Sequence, residues 1–336
     1  MRDQTMRPRR SRRRPRWVVP VLSATLAVVL LAAGCALLGS ASDTVQPAST
    51  EPWAHEVDYP GTRVISDVQY GTADDGTALY LDVCLPEEPA GDPAAVKPRA
   101  SIIEIHGGSW ARGDKSNVHY VNVCQWLASE GYVTISINYR LAPASIFPAA
   151  IEDARDAVRW LRDDTQVEQY NLDPELVGAF GGSAGANLAA LLAVEGSGDL
   201  DTGTRVAAVA ELSGPIDLTA QGRMLGGLTT TFEQVQLDYL GCRTLTNCPQ
   251  AEDASPLYDI DETDPPFFVG HSTNELIPLE QSEAFVAKLR DNGIATEFVT
   301  VEGPLHSIAM LDGDLRERIA DFYAAELTSE IPGVVP

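Results

Sequence analysis

Between residues 176 and 188 the chain reads Leu-Val-Gly-Ala-Phe-Gly-Gly-Ser-Ala-Gly-Ala-Asn-Leu, an aliphatic run entering an Ala/Leu-rich stretch through G-x-S-x-G at Gly181–Gly185. No other feature restricts the fold as strongly. An aliphatic run of this length reads as a strand and the Ala/Leu stretch as a helix, so the motif sits on the turn between them. Only small residues let the two elements pass closely enough for so sharp a turn. Such a turn strains Ser183 and projects its hydroxyl from the carboxyl edge of a sheet. The helix that follows aims its free N–H groups at the same spot, which favours a developing anion.

Strand-like and helical stretches alternate through the rest of the body. Strands are expected over Thr62–Tyr70, Ala78–Cys84, Ser101–Ile105, Tyr132–Asn138, Leu176–Gly181, Val206–Leu212, Pro266–His271 and Thr296–Val301. Their β-branched content, short length and bounding Gly or Pro support this. Helices are expected over His119–Glu130, Ala149–Arg162, Ala184–Val194, Leu279–Asn292 and Leu315–Leu327. In the second of these, Ile151, Ala154, Ala157, Val158 and Leu161 recur at helical spacing. The alternation predicts an α/β fold with a mostly parallel, eight-stranded sheet covered by helices on both faces. The first two strands lack a helix between them and should enter antiparallel. Pro215–Asp259 breaks the rhythm and is expected to form an insertion lying over the sheet as a lid.

A second motif closes an earlier strand: His106-Gly107-Gly108-Ser109-Trp110. Glycines there let backbone amides turn inward, so Gly107, Gly108 and Ser109, with Ala184, are the candidate oxyanion hole. His106 reads as a loop support, and Trp110 as packing or a substrate-pocket wall.

Together with Asn138-Tyr139-Arg140-Leu141-Ala142-Pro143, Phe147-Pro148-Ala149-Ala150-Ile151-Glu152-Asp153 and Phe180–Asn187, these motifs resemble the lipase/esterase branch of the α/β-hydrolase superfamily, the hormone-sensitive-lipase-like and feruloyl-esterase-like carboxylesterases. The resemblance runs from about Thr62 to the end. It implies an α/β-hydrolase sheet, no metal or organic cofactor, and ester hydrolysis through an acyl-enzyme. Amide hydrolysis by a peptidase or formamidase uses the same parts, and a non-catalytic surface protein could keep the fold. Arg140 and Asp153 are read as supports beneath the site.

In that family the order is nucleophile, acid, histidine, with the histidine after the last strand. Of the five histidines, His306 in Glu302-Gly303-Pro304-Leu305-His306-Ser307 fits. The acid loop departs from the family pattern, histidine-glycine-x-x-aspartate with a proline four residues on. Here His271-Ser272-Thr273-Asn274-Glu275-Leu276-Ile277-Pro278 is one residue short. Counting from His271 gives Glu275; counting back from Pro278 gives Asn274. A carboxylate is needed to orient the imidazole and stabilise imidazolium, so Glu275 is the expected acid and the Asn274 position the alternative.

Charge divides the chain. Residues 1–16 hold eight arginines and one acid, leaving 16 of the 24 basic and 47 of the 48 acidic residues, net −31, on the remainder. Such a body repels nucleic acid and suits neutral substrates, here a small ester. The arginines run into Trp17–Leu38, 22 residues without a charge, so residues 1–38 read as an export signal segment. Three outcomes stay open. Leu31-Ala32-Ala33-Gly34-Cys35 resembles a lipoprotein signal with Cys35 lipidated, the run is long enough for an uncleaved membrane anchor, and cleavage near Ser40-Ala41-Ser42 would release the body. All three put residues 58–336, the hydrolase-like domain, outside the cytoplasm, with Gly39–Val57 as an extended tether. In an oxidising compartment the four remaining cysteines favour Cys242–Cys248 and Cys84–Cys124 disulfides, buried thiols being the alternative for the second pair.

Overall fold

The computed structural model describes residues 43–47, 57–88 and 97–328. The basic leader, Cys35 and most of the tether lie outside the described residues.

The eight expected strands form, and a ninth joins them. In chain order they are β1 Thr44–Gln46, β2 Arg63–Thr72, β3 Ala78–Leu85, β4 Arg99–Ile105, β5 Val133–Ile137, β6 Leu172–Gly182, β7 Ala208–Leu212, β8 Phe267–Ser272 and β9 Thr296–Val301. The helices are α1 Val118–Ser129, α2 Ala149–Leu161, α3 Asp164–Tyr170, α4 Ala184–Val194, α5 Thr230–Leu240, α6 Gln250–Asp253, α7 Leu279–Asp291 and α8 Gly313–Glu326. Sheet order is β1-β9-β8-β7-β6-β4-β5-β3-β2. Only β3 runs against the others, pairing antiparallel with both β2 and β5.

β1 corrects two expectations. The sheet has nine strands, not eight, and part of the expected tether belongs to it, because Thr44–Gln46 pairs in parallel with Val299–Val301. Without it β9 would leave a row of unpaired N–H and C=O groups at the sheet edge. Three residues are too few to show an apolar period, so no sequence pattern marks them. Gln46 fastens the strand through Asp312, and Arg290 reaches Asp43.

Two apolar layers enclose the sheet. Ile103, Ile105, Ile135, Val177 and Val209 meet α2, α4 and α7 on one face. Ile102, Phe180, Phe268 and Val299 meet Trp126 and Leu127 of α1 and Ile319 and Tyr323 of α8 on the other. Every residue of α4 is buried, as its sequence, apolar on all sides but for Asn187, demands. β5 and β6 lie on opposite sides of β4, so the chain changes direction across the sheet there. In open α/β sheets that crevice, at the carboxyl ends of the strands, is where ligands bind.

The 215–259 insertion is folded into the first layer rather than laid loosely above it. Ile216, Leu218, Phe232, Leu237 and Leu240 join the core. The buried Gln281 side chain accepts the Ile216 and Asp217 N–H groups and donates to the Gly222 carbonyl. Both cysteine pairs are bonded: Cys84–Cys124 ties β3 to α1, and Cys242–Cys248 closes the loop after α5. Arg140 and Asp153 form their expected pair, Nε donating at 3.0 Å and the Arg140 N–H at 2.7 Å.

Candidate active site

Ser183 stands between β6 and α4 with φ +57°, in the left-handed region that non-glycine residues rarely occupy. The turn is that tight because β6, α4 and the β4 loop nearly touch. A Cβ added at Gly185 would lie 2.0 Å from the Ile105 carbonyl oxygen, so the second glycine of the motif is a steric requirement.

His306 arrives from the loop after β9. Its Nε2 is 2.9 Å from Ser183 Oγ, and its Nδ1 meets Glu275 Oε2. The tautomer consistent with both has Nδ1–H donating to the carboxylate and Nε2 accepting from the serine hydroxyl. The Glu275 side chain is fully buried. Asn274, the alternative acid position, is exposed.

Two loops zipped together produce this placement. Thr273 N–H donates to the Val301 carbonyl, Asn274 N–H to the Gly303 carbonyl, and Gly303 N–H to Thr273 Oγ1, at 2.9–3.0 Å. Held there, the acid loop turns position 275 inward, and the extra methylene of glutamate covers the reach a shorter loop lacks. His271 backs the acid from behind. It is buried, donates from Nε2 to the Ile277 carbonyl at 2.8 Å, accepts from Ser282 Oγ at Nδ1, and lies 3.1 Å from Glu275 Oε1. Desolvation holds the His271 pKa below its ordinary value, so it sits there as a neutral ring.

The oxyanion candidates divide. Gly107 N–H already donates to Tyr120 Oη at 2.6 Å, which removes it from the expected set. Gly108 has φ +125° and Ser109 φ +59°, so the backbone reverses sharply where β4 ends beside the crevice. A Cβ at Gly108 would be 2.0 Å from the Arg112 carbonyl oxygen, so glycine is needed there too. Among the described residues the N–H groups of Gly108, Ser109 and Ala184 have no acceptor.

His106 is a support, as expected. It is buried, donates from Nδ1 to the Gly107 carbonyl, and stacks on Tyr139 with ring centroids 4.4 Å apart. Trp110 corrects the pocket-wall reading. The left-handed backbone at Ser109 and Trp110 sends the indole into the core, where it is fully buried and stacks on Tyr239 of α5 at 4.2 Å. Sequence reasoning missed Tyr120, His271 and Ser213. The signal for Ser213 was present: Leu212-Ser213-Gly214-Pro215 ends a strand at the same sheet edge as Ser183.

This sheet, its crossover and a serine, histidine and carboxylate gathered at its carboxyl edge define an α/β-hydrolase. Within that class, the BD-FAE family model matches residues 81–289, more than half of the chain, and the chain belongs to that family. Esterase LipQ of Mycobacterium tuberculosis is 31% identical over 279 residues, covering 80% of this chain and 62% of its own length. The probable carboxylic ester hydrolase LipM of the same organism is 32% identical over 232 residues, 67% of this chain and 51% of its own. The chain therefore spans 51–62% of the length of these curated relatives. A truncated carbohydrate esterase from gut microbiota superposes with a TM-score of 0.66 at 23% identity over 79% of this chain and 96% of that one, a likeness of fold.

Proposed function

We propose that the protein is a serine carboxylic ester hydrolase. The observation that carries this reading is the unbroken line from Ser183 Oγ through the His306 ring to the buried Glu275, beside three amides without acceptors among the described residues. The esterase and carboxylic ester hydrolase names of its mycobacterial relatives support it.

The steps follow from the geometry. Ser183 Oγ attacks the ester carbonyl carbon while His306 Nε2 takes its proton. The charge that develops on the ring is offset by Glu275 across Nδ1–H. The carbonyl oxygen becomes an oxyanion and receives N–H bonds from Gly108, Ser109 and Ala184, which are already oriented and need no rearrangement. His306 returns the proton to the departing alcohol, leaving an acyl-serine. Water then repeats the sequence, with His306 as base, and releases the acid. The −31 charge outside the leader favours neutral ester substrates over anionic ones. A panel of p-nitrophenyl esters of increasing acyl length tests the reading. Turnover is expected with at least the short acyl groups, and no turnover of any ester would contradict it.

The same reading places the catalytic body outside the cytoplasm, held at the membrane through residues 1–38. The arginine-rich start and the 22-residue uncharged run support this. Full-length protein should sediment with membranes, whereas a chain starting at Gly39 should be soluble and active. Cells expressing the full-length chain that release it into the medium with a new N-terminus near Asp43 would overturn the membrane attachment.

A further inference from the structure

β7 ends at Glu211-Leu212 and runs into Ser213-Gly214, and this short turn touches all three segments that carry Ser183, Glu275 and His306. The Leu212 carbonyl accepts the Ser183 N–H at 2.8 Å. The Ser213 N–H donates at 2.9 Å to the carbonyl of Gly270, on the strand that leads to Glu275. Ser213 Oγ accepts the N–H of Ser307, the neighbour of His306, at 2.9 Å. A shift of this turn would therefore move the nucleophile, the acid strand and the histidine loop relative to one another.

Ser213 has φ +57°, a conformation that a serine keeps only where its surroundings hold it. Glu211 is the side chain that does so. Its Oε2 accepts the Gly214 N–H at 2.9 Å and closes the turn from below. The carboxyl is fully buried and wedged in place: a Cβ at Gly214 would stand 2.7 Å from Oε2 and 3.2 Å from the Ala186 methyl group of α4. Its other oxygen, Oε1, has no hydrogen-bond partner among the described residues. Nothing in the ester-cleaving steps uses this acid.

We propose that Glu211 is a positioning residue for the triad: its buried carboxyl fixes the Ser213–Gly214 turn, and the turn sets the mutual placement of Ser183, Glu275 and His306. The role rests on the reading of Ser183 as nucleophile. Burial, reinforced by the Glu275 charge, pushes the Glu211 carboxyl up to about 8, so it is neutral at pH 7. Among the described residues Glu275 is the charged side chain that acts on it. α4 carries no ionisable side chain, and the strand neighbours of Glu211 are Gly181 on β6 and Val269 on β8. A neutral Glu211 adds no second negative charge beside the Glu275 carboxylate that faces His306. Above about pH 8 Glu211 ionises, and a second buried negative charge then acts on the same site.

The test compares E211A, E211Q and S213A with wild type in full-length protein, by kcat and KM on p-nitrophenyl butyrate from pH 6 to about 9.5 and by labelling of Ser183 with a fluorophosphonate. A displacement near 1 Å can cost about a hundredfold in rate, so E211A should lose about 10- to 100-fold in kcat with KM nearly unchanged. E211Q keeps an acceptor for the Gly214 N–H and cannot ionise. It should stay within about threefold of wild type at pH 7 and lack the alkaline loss that wild type shows above pH 8. S213A, which removes the acceptor of the buried Ser307 N–H, should lower kcat about tenfold and lower the thermal midpoint while the protein stays folded at the assay temperature. Wild-type kcat in S213A overturns the proposal, and so does an E211Q protein that loses more than about tenfold in kcat at pH 7 while keeping the wild-type pH profile; neither result needs E211A to fold. A wild-type protein that neither turns over esters nor labels at Ser183 fails at the level of the esterase reading, and this role falls with it.

Discussion

Replacing Ser183 by alanine is expected to lower kcat/KM for p-nitrophenyl esters by about 10⁴–10⁶-fold while leaving the fold intact. The alanine side chain is smaller than the one it replaces, and among the described residues the hydrogen bond that Ser183 Oγ loses is the 2.9 Å one to His306 Nε2. The turn is held by other bonds, the Ser183 N–H to the Leu212 carbonyl and the Ala186 N–H to the Ser183 carbonyl, and these survive the substitution. The positive φ at this position is strained for alanine as it is for serine, so the loss should be chemical. Circular dichroism and the urea midpoint should match wild type, while residual hydrolysis should fall to the level that oriented amides alone provide. A purified S183A protein with substantial ester turnover would remove the nucleophile from the mechanism.

Glu275→Gln should reduce kcat by about 10²–10⁴-fold with little change in KM, because the substitution removes charge and almost no volume. Wild-type Glu275 presents Oε2 to His306 Nδ1–H, and its side chain has no exposed surface. Glutamine can still accept that N–H through its amide oxygen, but it offers nothing to offset the imidazolium that forms when Ser183 gives up its proton. If the amide nitrogen faces the ring instead, two donors meet and the histidine is driven toward the wrong tautomer. Asn274→Asp supplies the control. Asn274 is exposed, and its N–H is committed to the Gly303 carbonyl, so a carboxylate there should not raise activity. An E275Q protein close to wild type, together with a faster N274D protein, would move the acid by one residue.

Much of this arrangement is legible in the sequence because it is local. β9 and α4 have the bounds expected from pattern alone, Thr296–Val301 and Ala184–Val194, since the first is a short run of β-branched and aromatic residues and the second an Ala/Leu-rich stretch, each bounded by turn residues. What escapes is set by distant parts of the chain. β1 is a strand only because the edge of β9, more than 250 residues later, is open to it. α3 buries only Tyr170 and so shows no apolar period. α5 buries Phe232, Leu237, Tyr239 and Leu240, yet its polar neighbours disguise it as loop.

The site follows the same rule. The glycine pair after β4 announces an oxyanion loop, but which amides remain free depends on Tyr120, 13 residues away on α1. Spacing leaves Asn274 and Glu275 equally eligible, and the difference between them arises where the acid loop pairs with the histidine loop. Trp110 looks like a pocket wall beside the glycines until the left-handed backbone turns it toward Tyr239. Glu211 gives no signal at all in the sequence, being one acid among 48.

Covalent capture is the most direct test of Ser183 as the activated nucleophile of an ester hydrolase. Wild-type protein would be treated with a fluorophosphonate, digested and mapped by mass spectrometry, with S183A treated in parallel. The expected result is stoichiometric phosphonylation of the peptide containing Ser183, loss of ester turnover in step with labelling, and no adduct on S183A. Full labelling of another residue, or ester turnover that persists after Ser183 is fully modified, would contradict it.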